Sequence, residues 1–254
     1  MKLLTTKQYK LSKGEKAGIL TAGITLSPAN EASLIMRRTL PESTVLPSTC
    51  PMSGACESGC LKFAGMNQYP THAIARARRT ALWFENRATF LSQALSEFVA
   101  VERKAHRLGY ITAARPNLLS DIPQLAHALA AALPAVRFYD YTKIPGAWKR
   151  VKANYHLTYS ASERSTAADI RESFAHGINV AVVVSDIAKG EKLPATFTLH
   201  GITRPTIDGD INDARFLDAP GHYVLLRWKG SKARLAAAAA AEWARPTIAL
   251  TLVH

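Results

Sequence analysis

The pattern of apolar and polar positions is clearest in the second half of the chain, where strand-like and helix-like segments alternate. Apolar runs rich in β-branched and aromatic residues predict strands, and amphipathic segments between them predict helices. The predicted strands cover residues 111–119, 136–142, 155–160, 180–184, 195–199, 223–228 and 247–253. The predicted helices cover residues 123–133 and 166–176, and a third contains the alanine run 236–241 and ends before Pro246. Ser120 or Asp121 is expected to cap the first helix, and Asp169 completes a capping box in the second.

This alternation predicts a mostly parallel sheet. Strands separated by a dozen or more residues need crossover connections, which are right-handed in βαβ units. The fully apolar run at 180–184 is typical of a strand buried on both faces. We therefore expect an α/β fold, a partial or complete (β/α) barrel, with an open doubly wound sheet as the alternative.

The first half of the chain has a weaker strand pattern and a long helical one. Residues 19–26 alternate weakly and are rich in β-branched residues, which predicts a hairpin or edge strand before Pro28. A second strand is predicted at residues 33–38. Residues 71–108 keep a helical apolar spacing with a break near Asn86, and Gly109 gives a C-terminal stop. The predicted organisation is an N-terminal β-hairpin extension over residues 1–30 and a single barrel-like domain over residues 31–254.

Composition and charge predict a class of partner for this architecture. A chain of 254 residues with 48% hydrophobic content can build one large domain. Its formal net charge of +13 predicts affinity for polyanions, and DNA is the first partner to consider. The chain has no apolar stretch long enough to cross a membrane and no secretory signal at its start, so we expect a cytoplasmic protein with no membrane partner. Four arginines close to the cysteines form either a phosphate contact or a solvated helix face: Arg76, Arg78, Arg79 and Arg87.

All three cysteines of the chain lie within eleven residues, as Cys50, Cys56 and Cys60 in a C-x5-C-x3-C spacing. Thiolates are the preferred ligands of iron–sulfur clusters and of zinc, and an odd number of cysteines argues against a closed set of disulfides. Three ligands suit an iron–sulfur cluster with one open iron. A structural zinc would need a fourth ligand such as His72, and free thiols packed as small hydrophobic groups are the third alternative.

Polar residues collect where the predicted strands end, which is where α/β folds bind their ligands. Asp121, Asp140, Lys143 and His156 belong to this set. Aspartates are candidate acids or bases, and Lys143 and His156 are candidate proton carriers. Lys143 in a salt bridge with Asp140 or Asp121, and His156 as a hydrogen-bonded core residue, are the structural alternatives.

A further acidic segment contains Asp208, Asp210 and Asp213 within six residues. Such carboxylates repel one another unless they meet a cation or a proton, so they are candidates for Mg²⁺ binding or acid–base chemistry. The alternative is a turn in which they cap backbone amides. The sequence contains no nucleophile elbow, P-loop, Rossmann fingerprint or H-E-x-x-H helix, which argues against the common hydrolase and kinase classes.

Several motifs together carry a family resemblance: residues 49–51, Cys56, Cys60, and residues 78–80, 119–122, 138–143, 154–158 and 207–210. In these the chain resembles an uncharacterised family encoded by phages and mobile elements and known by gene-product number. The resemblance implies a phage or prophage origin and a site built from those residues.

Two looser resemblances suggest chemistry. Radical S-adenosylmethionine enzymes are similar in that their partial barrels hold a three-cysteine cluster in the loop after the first strand, which would add S-adenosylmethionine as a cofactor. Barrel transglycosylases that exchange bases in nucleic acid are similar in architecture, and their paired aspartates would correspond to Asp121 and Asp208.

The function predicted from the sequence is that of a phage-type enzyme, dependent on an iron–sulfur cluster or another metal, that acts on nucleic acid or nucleotides, as in DNA base modification. Two other hypotheses remain. One is a non-enzymatic basic DNA-binding protein with a zinc-stapled cysteine loop, and the other is a base-exchange transglycosylase without a redox metal.

Overall fold

Ten strands and seven α-helices are found in a computed structural model that describes residues 1–39, 46–188 and 190–247. The strands are β1 (Leu4–Thr5), β2 (Ile19–Ile24), β3 (Ile111–Arg115), β4 (Arg137–Thr142), β5 (Tyr155–Ser160), β6 (Val180–Val184), β7 (Thr196–Leu199), β8 (Ile202–Asp208), β9 (Tyr223–Arg227) and β10 (Ala244–Arg245). The helices are α1 (Tyr9–Ser12), α2 (Glu31–Thr39), α3 (Pro70–Glu85), α4 (Arg87–Leu108), α5 (Pro123–Ala132), α6 (Ala167–Ala175) and α7 (Lys232–Ala240).

The strands form one sheet in the order β1-β2-β3-β4-β5-β6-β9-β8-β7, with β10 paired to β6. All neighbours from β2 to β8 run parallel, and only the edge strands β1 and β7 are antiparallel to their partners. The expected mixed α/β fold with a mostly parallel sheet is therefore confirmed. The sheet ends at β1 and β7, which are not paired with each other, so it does not close into a complete barrel.

Strand β10 fills a gap beside β6. β5 pairs with β6 only at Val180 and Ala181, near the start of β6, and β10 pairs in parallel with Val183 and Val184. The predicted strand at 247–253 lies outside the described residues except for Thr247, which is not in a strand.

Two predictions for the first half of the chain differ from the structure. Residues 19–24 do not form a separate hairpin, because β2 lies inside the sheet between β1 and β3. The strand predicted at residues 33–38 is wrong, since this segment belongs to helix α2. Ala32, Ile35 and Met36 follow the three-to-four residue spacing of a helix and pack in one cluster with Ala77 and Ala81 of α3.

The helix boundaries follow the expected local signals with one exception. The break at Asn86 is confirmed, and the Asn86 side chain accepts a hydrogen bond from Thr89 N at 3.1 Å. Gly109 ends α4 in the left-handed conformation with φ of 68°, and the capping box of α6 is present. Helix α5 instead starts after Ile122 without a side-chain cap. Asp121 is unavailable as its cap because its carboxylate binds the start of the segment after β4.

The two faces of the sheet carry different side chains. On one face, apolar residues pack against α4, α5 and α6 in the main core, which includes Phe138, Leu157, Val182, Phe98, Leu125 and Ile170. Strand alternation puts Tyr139 and its neighbour His156 on the opposite face. Ala214 and Phe216, from the segment after β8, cover Tyr139 there. Among the described helices, none has the length and apolar content of a bilayer-spanning segment.

Candidate functional site

One cavity brings the three cysteines to the carboxyl ends of the parallel strands. Its volume is about 210 Å³, and we call it the thiol cavity. Cys50, Cys56 and Cys60 line it from the loop before α3. The ends of β3, β4, β5, β6 and β9 supply the opposite walls, through residues that include Arg115, Asp121, Lys143, Ser160, Val183 and Arg227. This is the edge at which parallel α/β sheets bind ligands.

The cysteine loop is held against the strand ends by close backbone contacts. A Cβ atom on Gly59 would lie 2.4 Å from Trp243 and 2.5 Å from Trp228, so only glycine allows the loop to approach these two indoles. The Ala55 amide donates to Glu163 Oε1 at 3.1 Å, and Arg234 donates to Ser58 O at 3.0 Å. The loop itself is a series of short 3-10 helices, Ala55–Glu57, Leu61–Phe63 and Gly65–Gln68.

Burial keeps two of the sulfur atoms, those of Cys50 and Cys60, as protonated thiols. Burial raises the pKa of Cys50, and it raises the pKa of Cys60 to about 11. Cys50 Sγ accepts a hydrogen bond from Ala29 N at 3.4 Å and donates to Leu119 O at 3.5 Å. A thiolate at Cys50 or Cys56 would raise the pKa of Cys60 further, because both residues lie close to it.

The donor set suits a soft metal centre, but it is not assembled into ligating contact. All three sulfurs line one cavity, and thiolates are the ligands that iron–sulfur clusters and zinc prefer. Within the described ranges, however, no three His, Cys, Asp or Glu side chains are grouped so that they could hold a metal ion. His72, the fourth zinc ligand considered above, is exposed and does not line the thiol cavity. A bound metal would therefore require the thiols to turn towards one another.

Asp121 and Lys143 lie on the strand side of the thiol cavity. Asp121 Oδ2 accepts hydrogen bonds from Lys143 N at 2.8 Å and from Thr142 Oγ1 at 3.2 Å. Burial raises the pKa of Asp121. Lys143 Nζ donates to Ser160 Oγ at 3.3 Å. The structure thus brings a carboxyl group that is easier to protonate than usual, an ammonium group and three thiols to one cavity.

Asp140 does not line the thiol cavity but supports one wall of it. Its side chain is buried and accepts hydrogen bonds from Asn117 N at 2.9 Å, from Asn117 Nδ2 at 3.0 Å and from the Tyr155 hydroxyl at 3.1 Å. Asn117 Oδ1 in turn accepts from Ser120 Oγ at 2.9 Å and from Ile122 N at 3.0 Å. Asp140 therefore fixes the segment that carries Asp121, and it is a positioning residue.

The pKa of Asp140 predicts a pH-dependent stability. Burial raises this pKa from 3.8 to about 7, so between these values the folded chain holds a proton that the unfolded chain releases. The free energy of unfolding should therefore fall as pH rises from about 4 to about 7. We expect Asp140→Asn to flatten this part of the profile, measured as urea midpoints at about pH 5 and about pH 8.

Other groups contribute to the same profile, so the test is the difference between variants. The pKa values of Asp121 and Asp218 are also raised by burial, which adds to the same trend. Burial lowers those of His127 and His156, which reduces stability as pH falls below their ordinary value of 6.5. Asp169→Asn, on the exposed capping box, is the control. Parallel profiles for Asp140→Asn and the unmodified chain would contradict the prediction.

Asp208 and Asp210 are paired with cations of the chain. Arg227 Nη1 contacts Asp208 Oδ1 at 2.8 Å, and the Arg227 amide donates to Asp210 Oδ2 at 3.0 Å. Lys229 forms an ion pair with Asp210. Burial opposes ionisation of Asp210, but the hydrogen bonds from Lys229 and Arg227 outweigh it and lower the pKa. The carboxylates do not line the thiol cavity, whereas Arg227 and Lys229 do, so the aspartates hold those cations in place.

His156 lies on the face of the sheet opposite the main core, next to Tyr139, and does not line the thiol cavity. Its Nε2 is buried and has no hydrogen-bond partner among the described residues. Burial, with a contribution from the charge of Arg215, lowers the pKa of His156. Arg215 itself is fully buried and paired with Asp218 at 3.0 Å. Asp213, also on this face, is paired with Arg115 at 2.7 Å.

The four arginines near the cysteine loop do not form one surface. Arg76 is buried and paired with Glu31 at 2.9 Å. Arg79 donates to the carbonyl oxygens of Lys2 at 3.0 Å and Thr25 at 3.5 Å. Arg78 and Arg87 are exposed, and the Arg87 guanidinium lies 4.6 Å from the centre of the Trp83 ring. A phosphate contact shared by all four would need these partners to separate.

Sequence reasoning missed most of the cations and both indoles around the thiol cavity. They are Lys62, Arg115, Arg227, Trp228, Lys229 and Trp243. A usable signal was present for some of them. Arg115 is the last residue of an otherwise apolar strand, and Arg227 to Lys229 directly end another, so both sets fall at the ligand-binding edge. Trp243 gave no such signal, because it reaches the thiol cavity only through the packing of the chain after α7.

Comparison with known proteins identifies a family without a described activity. A family model described as Gene product 88 matches residues 2–244. Neither the curated proteins nor the solved structures contain a match to this chain.

Proposed function

The chain belongs to the Gene product 88 family, an uncharacterised family of phage gene products, and from this premise we propose that it is an iron–sulfur enzyme acting on nucleic acid or nucleotides. The observation that carries the proposal is the thiol cavity. Three thiols from one loop line one wall of it, and Asp121 and Lys143, from two other parts of the chain, line another. A cluster with three protein thiolates would leave one iron open to a substrate or cofactor.

The order of the strands supports the same proposal. Six parallel strands lie side by side in chain order, as β2-β3-β4-β5-β6-β9, and the cysteine loop follows the first of them. This is the placement of the cluster loop in radical S-adenosylmethionine enzymes, to which the sequence bears its looser resemblance. The C-x5-C-x3-C spacing differs from the usual three-then-two spacing of those enzymes, so the proposal does not extend to S-adenosylmethionine.

Residues of the chain have separate roles in this proposal. Cys50, Cys56 and Cys60 would hold the cluster, which supplies electron transfer and an open coordination position. Asp121, whose pKa burial raises, accepts or returns a proton at its carboxylate near Lys143. Trp228 and Trp243 pack edge to face, with ring centres 5.9 Å apart, and limit the entry of water beside the cysteine loop.

The positive lining of the thiol cavity favours an anionic substrate. Lys62, Arg115, Arg227 and Lys229 line it together with Lys143. The carboxylates that neutralise three of these cations, Asp208, Asp210 and Asp213, lie outside the lining. Donors therefore face the cavity while their counter-charges lie behind them, which suits the phosphate of a nucleotide or of DNA.

The test of the cluster is reconstitution of the whole chain with ferrous iron and sulfide under anaerobic conditions. We expect a brown protein with iron–sulfur absorption, and we expect Cys56→Ala to lose the colour and most of the bound iron. Ser53→Ala is the matched control, because Ser53 lies in the same loop and lines the same cavity without providing a thiol. A colourless protein that binds stoichiometric zinc would contradict the proposal and support a zinc-stapled binding module.

The test of the activity is nucleoside mass spectrometry of DNA and nucleotides incubated with the reduced, reconstituted protein. We expect a changed nucleoside that is absent with Cys56→Ala. A changed nucleoside formed equally well by the metal-free chain would instead support base exchange, in which Asp121 acts without a redox metal. An unchanged profile with both forms of the protein would contradict the enzymatic proposal.

A further inference from the structure

A second cavity lies beside the thiol cavity. Its volume is about 690 Å³, and its walls come from the start of the chain, from the end of the cysteine loop and from α3. Five residues line both cavities: Leu61, Arg115, Leu118, Leu119 and Lys229. The two cavities therefore adjoin along a shared wall.

The lining of the second cavity is positively charged. It includes five cationic side chains and His72 but no Asp or Glu: Lys7, Arg76, Arg79, Arg115 and Lys229 are the cations. Three of them are paired with carboxylates that lie outside the lining, Arg76 with Glu31, Arg115 with Asp213 and Lys229 with Asp210. Within the described ranges no ion pair involves Lys7 or Arg79, although the charge of Glu97 acts on Arg79 from outside the lining. An anion in this cavity would therefore meet a lining with net positive charge.

Two exposed side chains, Met66 and Tyr69, lie in or next to the lining of the second cavity on the cysteine-loop side. Met66 lines the cavity and is 63% exposed. Tyr69 is 50% exposed, and its ring centre lies 6.5 Å from that of His72, which also lines the cavity. Aromatic rings beside cations form the surface on which nucleobases stack while their phosphates are bound. Phosphate alone would not need these rings, whereas a nucleotide would.

We propose that the second cavity binds a phosphate group of a nucleotide or of a single nucleic-acid strand, with a base stacked on Tyr69 and the next part of the substrate directed across the shared wall into the thiol cavity. This inference rests on the proposed function for the class of substrate. It adds the place where that substrate is anchored and assigns Lys7 and Arg79 as its phosphate ligands. Arg79 suits the role because its guanidinium is already oriented by two backbone carbonyls.

The test measures binding of a fluorescent oligothymidylate of about 12 nucleotides by anisotropy, with thymidine monophosphate and inorganic phosphate as competitors. We expect Arg79→Gln to weaken binding about tenfold and Lys7→Gln to weaken it severalfold, with a smaller salt dependence for each variant. Arg78→Gln is the matched control, since it removes the same charge from the adjacent, exposed position outside the cavity and should change binding less than about twofold. Tyr69→Ala should weaken binding of the oligonucleotide but leave binding of inorganic phosphate unchanged.

Competition identifies the source of the phosphate. Monophosphate competing as well as the strand assigns the cavity to a free nucleotide, and a clear preference for the strand assigns it to nucleic acid. Binding of none of the three probes, or an Arg78→Gln effect equal to that of Arg79→Gln, would overturn the inference. Lys7→Gln keeps the test decisive if Arg79→Gln loosens the contact with Lys2.

The same measurement separates this inference from the proposed enzyme. Cys56→Ala lies outside the second cavity and should keep its affinity for the oligonucleotide. Binding of the probes without uptake of iron would support the anion site and contradict the iron–sulfur proposal. Uptake of iron without binding of any probe would support the iron–sulfur proposal and contradict the anion site.

Discussion

Replacing Asp140 with alanine should lower the free energy of unfolding by about 3–5 kcal/mol. The change removes the acceptor of three hydrogen bonds at a position that is 1% exposed. The Asn117 amide, the Asn117 side chain and the Tyr155 hydroxyl would be left buried without that partner. Each such loss costs about 1–3 kcal/mol, and water cannot replace the carboxylate without opening the core.

The effect should extend from Asp140 to the thiol cavity. Asn117 holds the segment whose Leu119 carbonyl accepts from Cys50 and whose Asp121 binds the Lys143 amide. Urea unfolding measures the loss of stability, and iron taken up per chain measures the effect on the cavity. Asp169→Ala is the control, because the Asp169 carboxylate accepts hydrogen bonds from Thr166 N and Thr166 Oγ1 at an exposed helix terminus, and its loss should cost only about 1 kcal/mol. Equal losses in the free energy of unfolding for the two variants would show that this network does not depend on Asp140.

The parts of the fold that sequence predicted correctly are those with strong local signals. The apolar run Val180–Val184 and the strand Tyr155–Ser160 have the predicted bounds, and Asn86 and Thr166 begin helices as expected. Helix α2 was missed because its apolar stripe is short and faces α3 instead of the sheet. The local sequence pattern could not predict that the sheet stays open, because closure into a barrel depends on which strands lie at the two edges.

The candidate site was predictable only where residues sit at strand ends. Asp121 and Lys143 follow β3 and β4, and they reach the thiol cavity. Asp140 lies within β4, two residues after Phe138, and therefore shares its helix-covered face. Strand alternation alone would have assigned it to the core. The roles of Asp208 and Asp210 could not be predicted, because their ion-pair partners Arg227 and Lys229 lie far away in the sequence.

Arg76 shows that the sequence also does not reveal which charged side chains are buried and paired. A run of arginines near a cysteine loop suggests phosphate binding, but burial decides which of them is available. Arg76 is 2% exposed, and its guanidinium binds both oxygens of Glu31 at 2.9 and 3.0 Å. Its third contact, to Asn67 O at 2.9 Å, joins α2 and α3 to the end of the cysteine loop. Its contribution is therefore expected to be structural.

Arg76→Ala should accordingly destabilise the fold by about 3–5 kcal/mol, because it leaves the largely buried carboxylate of Glu31, 14% exposed, without its partner. Arg78→Ala, two residues away and exposed, should change the free energy of unfolding by less than about 0.5 kcal/mol. The double variant Arg76→Met with Glu31→Met should recover part of the loss, since no unpaired charge remains. Urea unfolding of the unmodified chain, Arg76→Met, Glu31→Met and the double variant measures the coupling. The prediction is contradicted if the double variant loses as much free energy of unfolding as its two single variants lose together. Arg76 would then stabilise the fold through its packing beside the cysteine loop and not through the ion pair.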